Sequence, residues 1–148
     1  MHRTAQIIVA RPRADVFDYL ADAERLPDYA GDFLWVKQIS PGPPAAGTEY
    51  EYQMNRGTHG TFHRSEYIPH TLLAWAGPPA KSGPGTMAPA GRWELSDAAA
   101  GTQITLVMAP VPGGLLTLAA PMIFRSIGAG LPDALRHLRE RLERPGSA

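Results

Sequence analysis

The sequence has no cysteine, only two lysines, no surplus of either charge and no long apolar run free of proline and glycine. Without cysteine there is no disulfide framework and no thiolate metal centre, and the redox compartment stays undetermined. Fourteen basic residues against fourteen acidic ones give a formal net charge of zero. No overall field draws such a chain to nucleic acid or to an acidic polymer. There is also no glycine-rich phosphate loop, nucleophile triad or dinucleotide fingerprint, so no cofactor is expected.

One stretch lacks charge altogether. From Ala98 to Phe124 there is no ionisable side chain, a length sufficient to span a bilayer. Pro110, Pro112, Gly113, Gly114 and Pro121 interrupt it, and "TQITLVMA" alternates with a period of two. A spanning helix would have to hide several broken backbone hydrogen bonds in lipid. The stretch therefore reads as a strand, a loop and the buried start of a helix, without stable membrane insertion. The opening "MHRTAQIIVA" is too short and too polar for a signal peptide, and a soluble cytoplasmic protein is expected.

What is present is a patterned chain of 148 residues, the size of one domain. "RTAQIIVA" reads as a strand. Pro12 then suits the first turn of a helix that places Val16, Phe17 and Leu20 on one face. Asp22 can cap a second short helix, "AERL", which Pro27 is expected to stop. Strands follow at "DFLWVKQIS", "TEYEYQMNR", "TFHRSEYI" and "TLLAWA", and "AGRWELSD" pairs with "TQITLVMA" as a hairpin. "GPPAKSGPGTM" reads as a mobile loop able to gate a pocket mouth. Phe124, Ile127, Leu131, Leu135, Leu138 and Leu142 recur at helical spacing, with Pro132 expected to kink or divide that helix. Residues 1–144 form the domain and 145–148 a disordered tail.

This order is strand, two short helices, further antiparallel strands, then one long helix. A curved antiparallel sheet with one apolar face needs a cover. The terminal helix can lie across the concave face while the short helices close one end, leaving a gap suited to a ligand. An internal cavity of at least ~300 Å³ is expected.

The segments "IIVARPRADVFDYLADAERLPDYAGDFLWVKQI", "AGTEYEYQM", "SEYIPHTLLAW", "GRWELSDAAAGTQITL" and "GLPDALRHLRERLE" run in an order that resembles the START-like (SRPBCC, birch-pollen-allergen-like) superfamily. The likeness is to its bacterial polyketide cyclase/dehydrase and coenzyme-Q-binding branch. It implies an α+β helix-grip fold, a curved antiparallel sheet of about seven strands around a long C-terminal helix with two short helices between strands one and two. It also implies a hydrophobic-ligand pocket. Cyclases of that family are described with a tyrosine just after the short helices and an arginine on the fourth strand. At the aligned positions this chain has Phe33 and Tyr67. A phenol does not replace a permanent guanidinium charge, which favours a carrier over a cyclase.

The fourth strand, "THGTFHRSEYIPH", is the main polar concentration. Its apolar flanks turn Phe62 and Ile68 inward together with Arg64 and Glu66, whereas the resemblance turns His63, Ser65 and Tyr67 inward. A slip of one residue exchanges the faces. The second arrangement is the one adopted, with His63, Ser65, Tyr67 and Arg64 as candidate catalytic residues and His63 as the acid/base. His59, His63, Glu66 and His70 also lie close in sequence. On a strand His59 and His63 sit about 13 Å apart, too far for one zinc, and no metal is expected.

The expected ligand lining is Phe17, Phe33, Tyr50, Tyr52, Met54, Trp75, Trp93, Leu95, Leu106, Met108, Phe124, Ile127 and Leu131, with Met122 beside them. The expected function is binding of a polyketide, lipid or quinone by a monomer or homodimer. The alternatives are an aromatase/cyclase and a partner-binding module.

Overall fold

The computed structural model describes residues 1–144, and the tail expected at 145–148 lies outside the described residues. Strand β1 (Arg3–Val9) leads through Pro12 into helix α1 (Arg13–Ala21), whose buried side is Val16, Phe17, Tyr19, Leu20 and Ala21. Asp22 ends α1 and its carboxylate accepts from Glu24 N at 3.2 Å, capping a 3-10 turn at Ala23–Arg25. Helix α2 (Leu26–Tyr29) follows directly. Pro27 sits in the first turn of α2 and does not stop a helix there, because its missing N–H is an orphan at that position in any case.

The main sheet then runs β2 (Phe33–Gln38), β3 (Glu49–Met54), β4 (His59–Ile68), β5 (Leu72–Ala76), β8 (Ala90–Ala98) and β9 (Gly101–Met108), joined by β1 at its far edge. Its seven strands lie in the order β1-β9-β8-β5-β4-β3-β2, and every pairing is antiparallel. The expected mobile loop is instead ordered. Residues of "GPPAKSGPGTM" form β6 (Ala80–Ser82) and β7 (Gly85–Ala88), and β10 (Val111–Gly114) pairs with β7 to make a small second sheet. Pro78, Pro79 and Pro89 sit at the breaks between the two sheets, and Gly83 and Pro84 turn the chain from β6 into β7.

A 3-10 turn (Leu115–Ala119) precedes helix α3 (Ala120–Glu143), which runs unbroken through Pro132. Phe124, Leu131, Leu135, Leu138 and Leu142 form its buried stripe, each contributing roughly 2 kcal/mol by removal from water. The helix packs on β1 and α2. The start of the helix is not buried as expected: Leu115, Leu118 and Met122 are exposed, and Met122 is not part of any lining. By length and composition alone the segment from Leu115 to Glu143 is apolar enough to cross a membrane.

Two clusters fill the interior. The larger joins α1, α3, β1, β8 and β9 through Phe17, Leu20, Trp93, Leu95, Ile104, Leu106 and Leu131. The smaller lies under β2, β3 and β4 and contains Ala23, Val36, Tyr50, Tyr52 and Phe62. Trp75 and Leu26 touch both. The short helices answer for the exposed end of the sheet: α2 and the 3-10 turn lie beside β2, and Gln38 N donates to Glu24 Oε2 at 2.8 Å. An edge strand is thereby covered.

Candidate ligand site around Arg64

The fourth strand does not follow either face assignment along its whole length. Arg64 pairs with Trp75 and Glu66 pairs with Ala74, so Ser65 is an extra residue that interrupts the ladder. Such a bulge resets the alternation. Before it, Phe62 and Arg64 point into the core; after it, Tyr67 does. His63 and Ser65, expected inside, are exposed, as is Glu66. The assignment of His63 and Ser65 to the pocket is corrected on this ground, and Arg64 and Tyr67 are the two polar side chains the strand brings inward.

Arg64 is only 3% exposed. One terminal nitrogen donates to Leu20 O at 3.1 Å and to Ala21 O at 3.4 Å, the last carbonyls of α1. These carbonyls lack helical partners and carry the negative end of the helix dipole, so a guanidinium suits them. Tyr50 Oη also donates to Ala21 O, at 3.4 Å. The cation lies 5.5 Å from the Tyr50 ring and 6.0 Å from the Phe62 ring. Its Nε–H is buried with no acceptor, and no carboxylate pairs with it among the described residues. Burial pulls the guanidinium below its ordinary value while the nearby Tyr50 and Tyr29 oppose the shift. An unpaired buried donor on a charged group costs several kilocalories per mole unless something satisfies it.

Tyrosines surround this cation. Burial pushes Tyr29, Tyr50 and Tyr67 above the ordinary phenol value, so all three stay protonated at neutral pH and can donate. Tyr67 meets the edge of Phe17 with ring centroids 5.2 Å apart, and Tyr29 approaches Trp93 at 6.4 Å. Tyr29 escaped the sequence reading, although its position behind Pro27 on a short helix was the available signal. Phe33 packs against Tyr52 at 5.8 Å and is half-buried.

The remaining expected lining residues are all interior. Phe17, Tyr50, Tyr52, Trp93, Leu95, Leu106, Phe124 and Leu131 are buried, and Phe33, Met54, Trp75, Met108 and Ile127 are half-buried on the inner side. Trp75 lies across Gly91, so close that a Cβ there would collide with the indole. Two concavities lie elsewhere than between sheet and helix. One of about 630 Å³ opens on the outer sheet face beside Gln6, Glu94 and Gln103, and another of about 340 Å³ beside Ile8 and Arg139. Inside, aliphatic and aromatic side chains pack in the two clusters. No group of three or more His, Asp or Glu able to hold a metal occurs among the described residues.

A seven-stranded antiparallel sheet curled around a terminal helix, with short helices between its first two strands, defines a helix-grip protein. The chain belongs to the polyketide cyclase / dehydrase and lipid transport family, whose profile matches residues 2–143. No curated protein matches it. Solved structures share the fold at low identity. TTHA0849 from Thermus thermophilus aligns with a TM-score of 0.77 at 14% identity, covering 96% of this chain and 97% of that one. The ZhuI aromatase/cyclase from Streptomyces sp. R1128 aligns at 0.73 and 17%, covering 100% and 99%. The di-domain ARO/CYC StfQ of the steffimycin biosynthetic pathway aligns at 0.71 and 14%, covering 94% of this chain and 49% of that chain.

Proposed function

We propose that this protein binds an apolar small molecule of polyketide type between sheet and helix, with one oxygen of the ligand held by Arg64. The observation that carries the proposal is the buried Nε–H of Arg64, a charged donor without an acceptor in an otherwise aromatic interior. A carbonyl, enolate or phenolate oxygen would satisfy it with a charge-assisted hydrogen bond. The half-buried Phe33, Met54, Trp75, Met108 and Ile127 supply apolar area that adapts to ligand shape.

Arg64 also favours a second reading, ring closure of the bound polyketide. An intramolecular aldol breaks an acidic α C–H bond of the β-ketone, its proton leaving to water, joins the enolate carbon to a ketone carbonyl carbon as that C=O π bond breaks, and returns a proton to the alkoxide formed. A fixed cation beside the enolate oxygen and protonated tyrosines beside the alkoxide are the donors such a step needs. The argument for a carrier from Tyr67 at the arginine position does not hold, because Arg64 itself occupies the interior of the fourth strand.

The test compares a hydroxylated anthraquinone with anthracene as probes, followed by tryptophan quenching. Wild type should bind the anthraquinone at least about tenfold more tightly than Arg64→Met does, and the two proteins should bind anthracene equally. Equal anthraquinone affinity in both proteins refutes the role of Arg64. Ring closure of a poly-β-ketone above the buffer rate, lost in Arg64→Met, separates the cyclase from the carrier.

A further inference from the structure

The outward face of α3 changes character along its length. From Asp133 onward it presents Asp133, Arg136, His137 and Glu140, all exposed. Ahead of that point Leu115, Leu118 and Met122 are 63%, 84% and 74% exposed, and Val111 of β10 is 59% exposed. Leu115 and Leu118, three apart, share one face of the 3-10 turn, and Met122 lies on the side of α3 opposite Phe124 and Leu131. A surface helix should be polar there. Four large apolar side chains within twelve residues of chain make a patch that water alone does not explain.

The charges that flank this patch in sequence are of one sign. No acidic residue occurs between Glu66 and Glu94 or between Asp97 and Asp133. Arg125 follows Met122 by three residues on α3 and is exposed, and the Arg3 side chain lies against Gly128. Lys81 pairs with Thr86, which pairs with Gly113, placing it two strands, about 10 Å, from β10. The segments that form this apolar end, from Pro69 to Trp93 and from Ala98 to Pro132, thus carry basic but no acidic side chains.

We propose that this end docks peripherally on an anionic lipid surface, with Leu115, Leu118 and Met122 seated among the headgroups and Lys81, Arg125 and Arg3 at phosphate level. Apolar insertion and attraction to anionic lipid act together in such contacts. A second copy of the chain fits the same surface poorly. A two-fold contact sets a patch against itself and would oppose cation to cation. A standard interface also takes about 20 residues a side, far beyond this patch. The docking stands apart from the Arg64 site and does not depend on it.

The experiment is flotation of the full chain with vesicles of phosphatidylcholine alone or with about 30% phosphatidylglycerol. Wild type should float with the anionic vesicles, less so in high salt, and remain behind with neutral ones. Leu118→Glu/Met122→Glu, at sites too exposed to disturb the fold, should lower binding about tenfold or more. Lys81→Gln/Arg125→Gln keeps every apolar contact and should lower it on anionic vesicles alone. Absence of wild-type binding, equal flotation with both vesicle types, or a wild-type dimer that Leu118→Glu dissociates would each overturn the proposal.

Discussion

His63 and Arg64 are adjacent in sequence and opposite in environment. His63 lies exposed on the outer face, so His63→Ala should change stability by less than about 0.5 kcal/mol and leave anthraquinone binding intact. A urea melt and a quenching titration check both. Arg64 responds differently to different replacements. Arg64→Ala empties a buried volume and uncaps α1, and should cost about 2–4 kcal/mol. Arg64→Met keeps the volume and removes the desolvated charge, so it should stay within about 1.5 kcal/mol of wild type. Comparable losses in both variants would mean that the α1 carbonyls depend on the guanidinium more than on packing. Why this arginine was misplaced by sequence follows from chemistry: a polar residue on a half-buried strand is normally assigned to water, and nothing in "FHRSEY" announces the helix end that receives it.

At the scale of elements the sequence was most informative where a pattern is long. The hairpin of β8 and β9 was readable because Trp93, Leu95, Ile104 and Leu106 alternate over two full strands, and all four are buried. The fourth strand was not, because one inserted residue, Ser65, divides it into two halves of opposite phase. Each face assignment described half of the strand. The small sheet escaped for another reason: its strands are three to four residues long, too short for alternation to register beside the prolines. The structure gives Gly91 a purpose, since the Trp75 ring occupies the space of its missing side chain. Gly91→Ala should therefore destabilise by about 1–3 kcal/mol and shift the near-ultraviolet tryptophan signal, with the denaturant midpoint as the measure. A variant as stable as wild type would show that both the indole and the Val107 carbonyl oxygen, 2.5 Å from the added carbon, give way freely.

The whole molecule should fail first in alkali. Tyr19, Tyr29, Tyr50, Tyr52 and Tyr67 all ionise above their ordinary value of 10.0 in the folded state, chiefly through burial. The unfolded chain releases these protons earlier, so stability holds up to about pH 10 and falls as pH rises further. Tyr29, the most deeply enclosed, should dominate. Tyr29→Phe should flatten the decline, followed by urea melts between about pH 8 and 11. An unchanged slope would place the sensitivity elsewhere.

The pairing of β1 with β9 joins segments about a hundred residues apart in sequence, Arg3 with Met108 at one end and Val9 with Thr102 at the other. The chain completes its open sheet by returning to its first strand, which forms one edge, and α3 then settles over that same strand. During synthesis β1 has nothing to bind until β9 emerges, and an isolated Ile-Ile-Val segment is left for seconds as an open edge. Contacts of such long range must be reached by diffusive search before they reward the chain, which places folding in the millisecond-to-second class. The strand that completes the architecture is the one that waits longest for it.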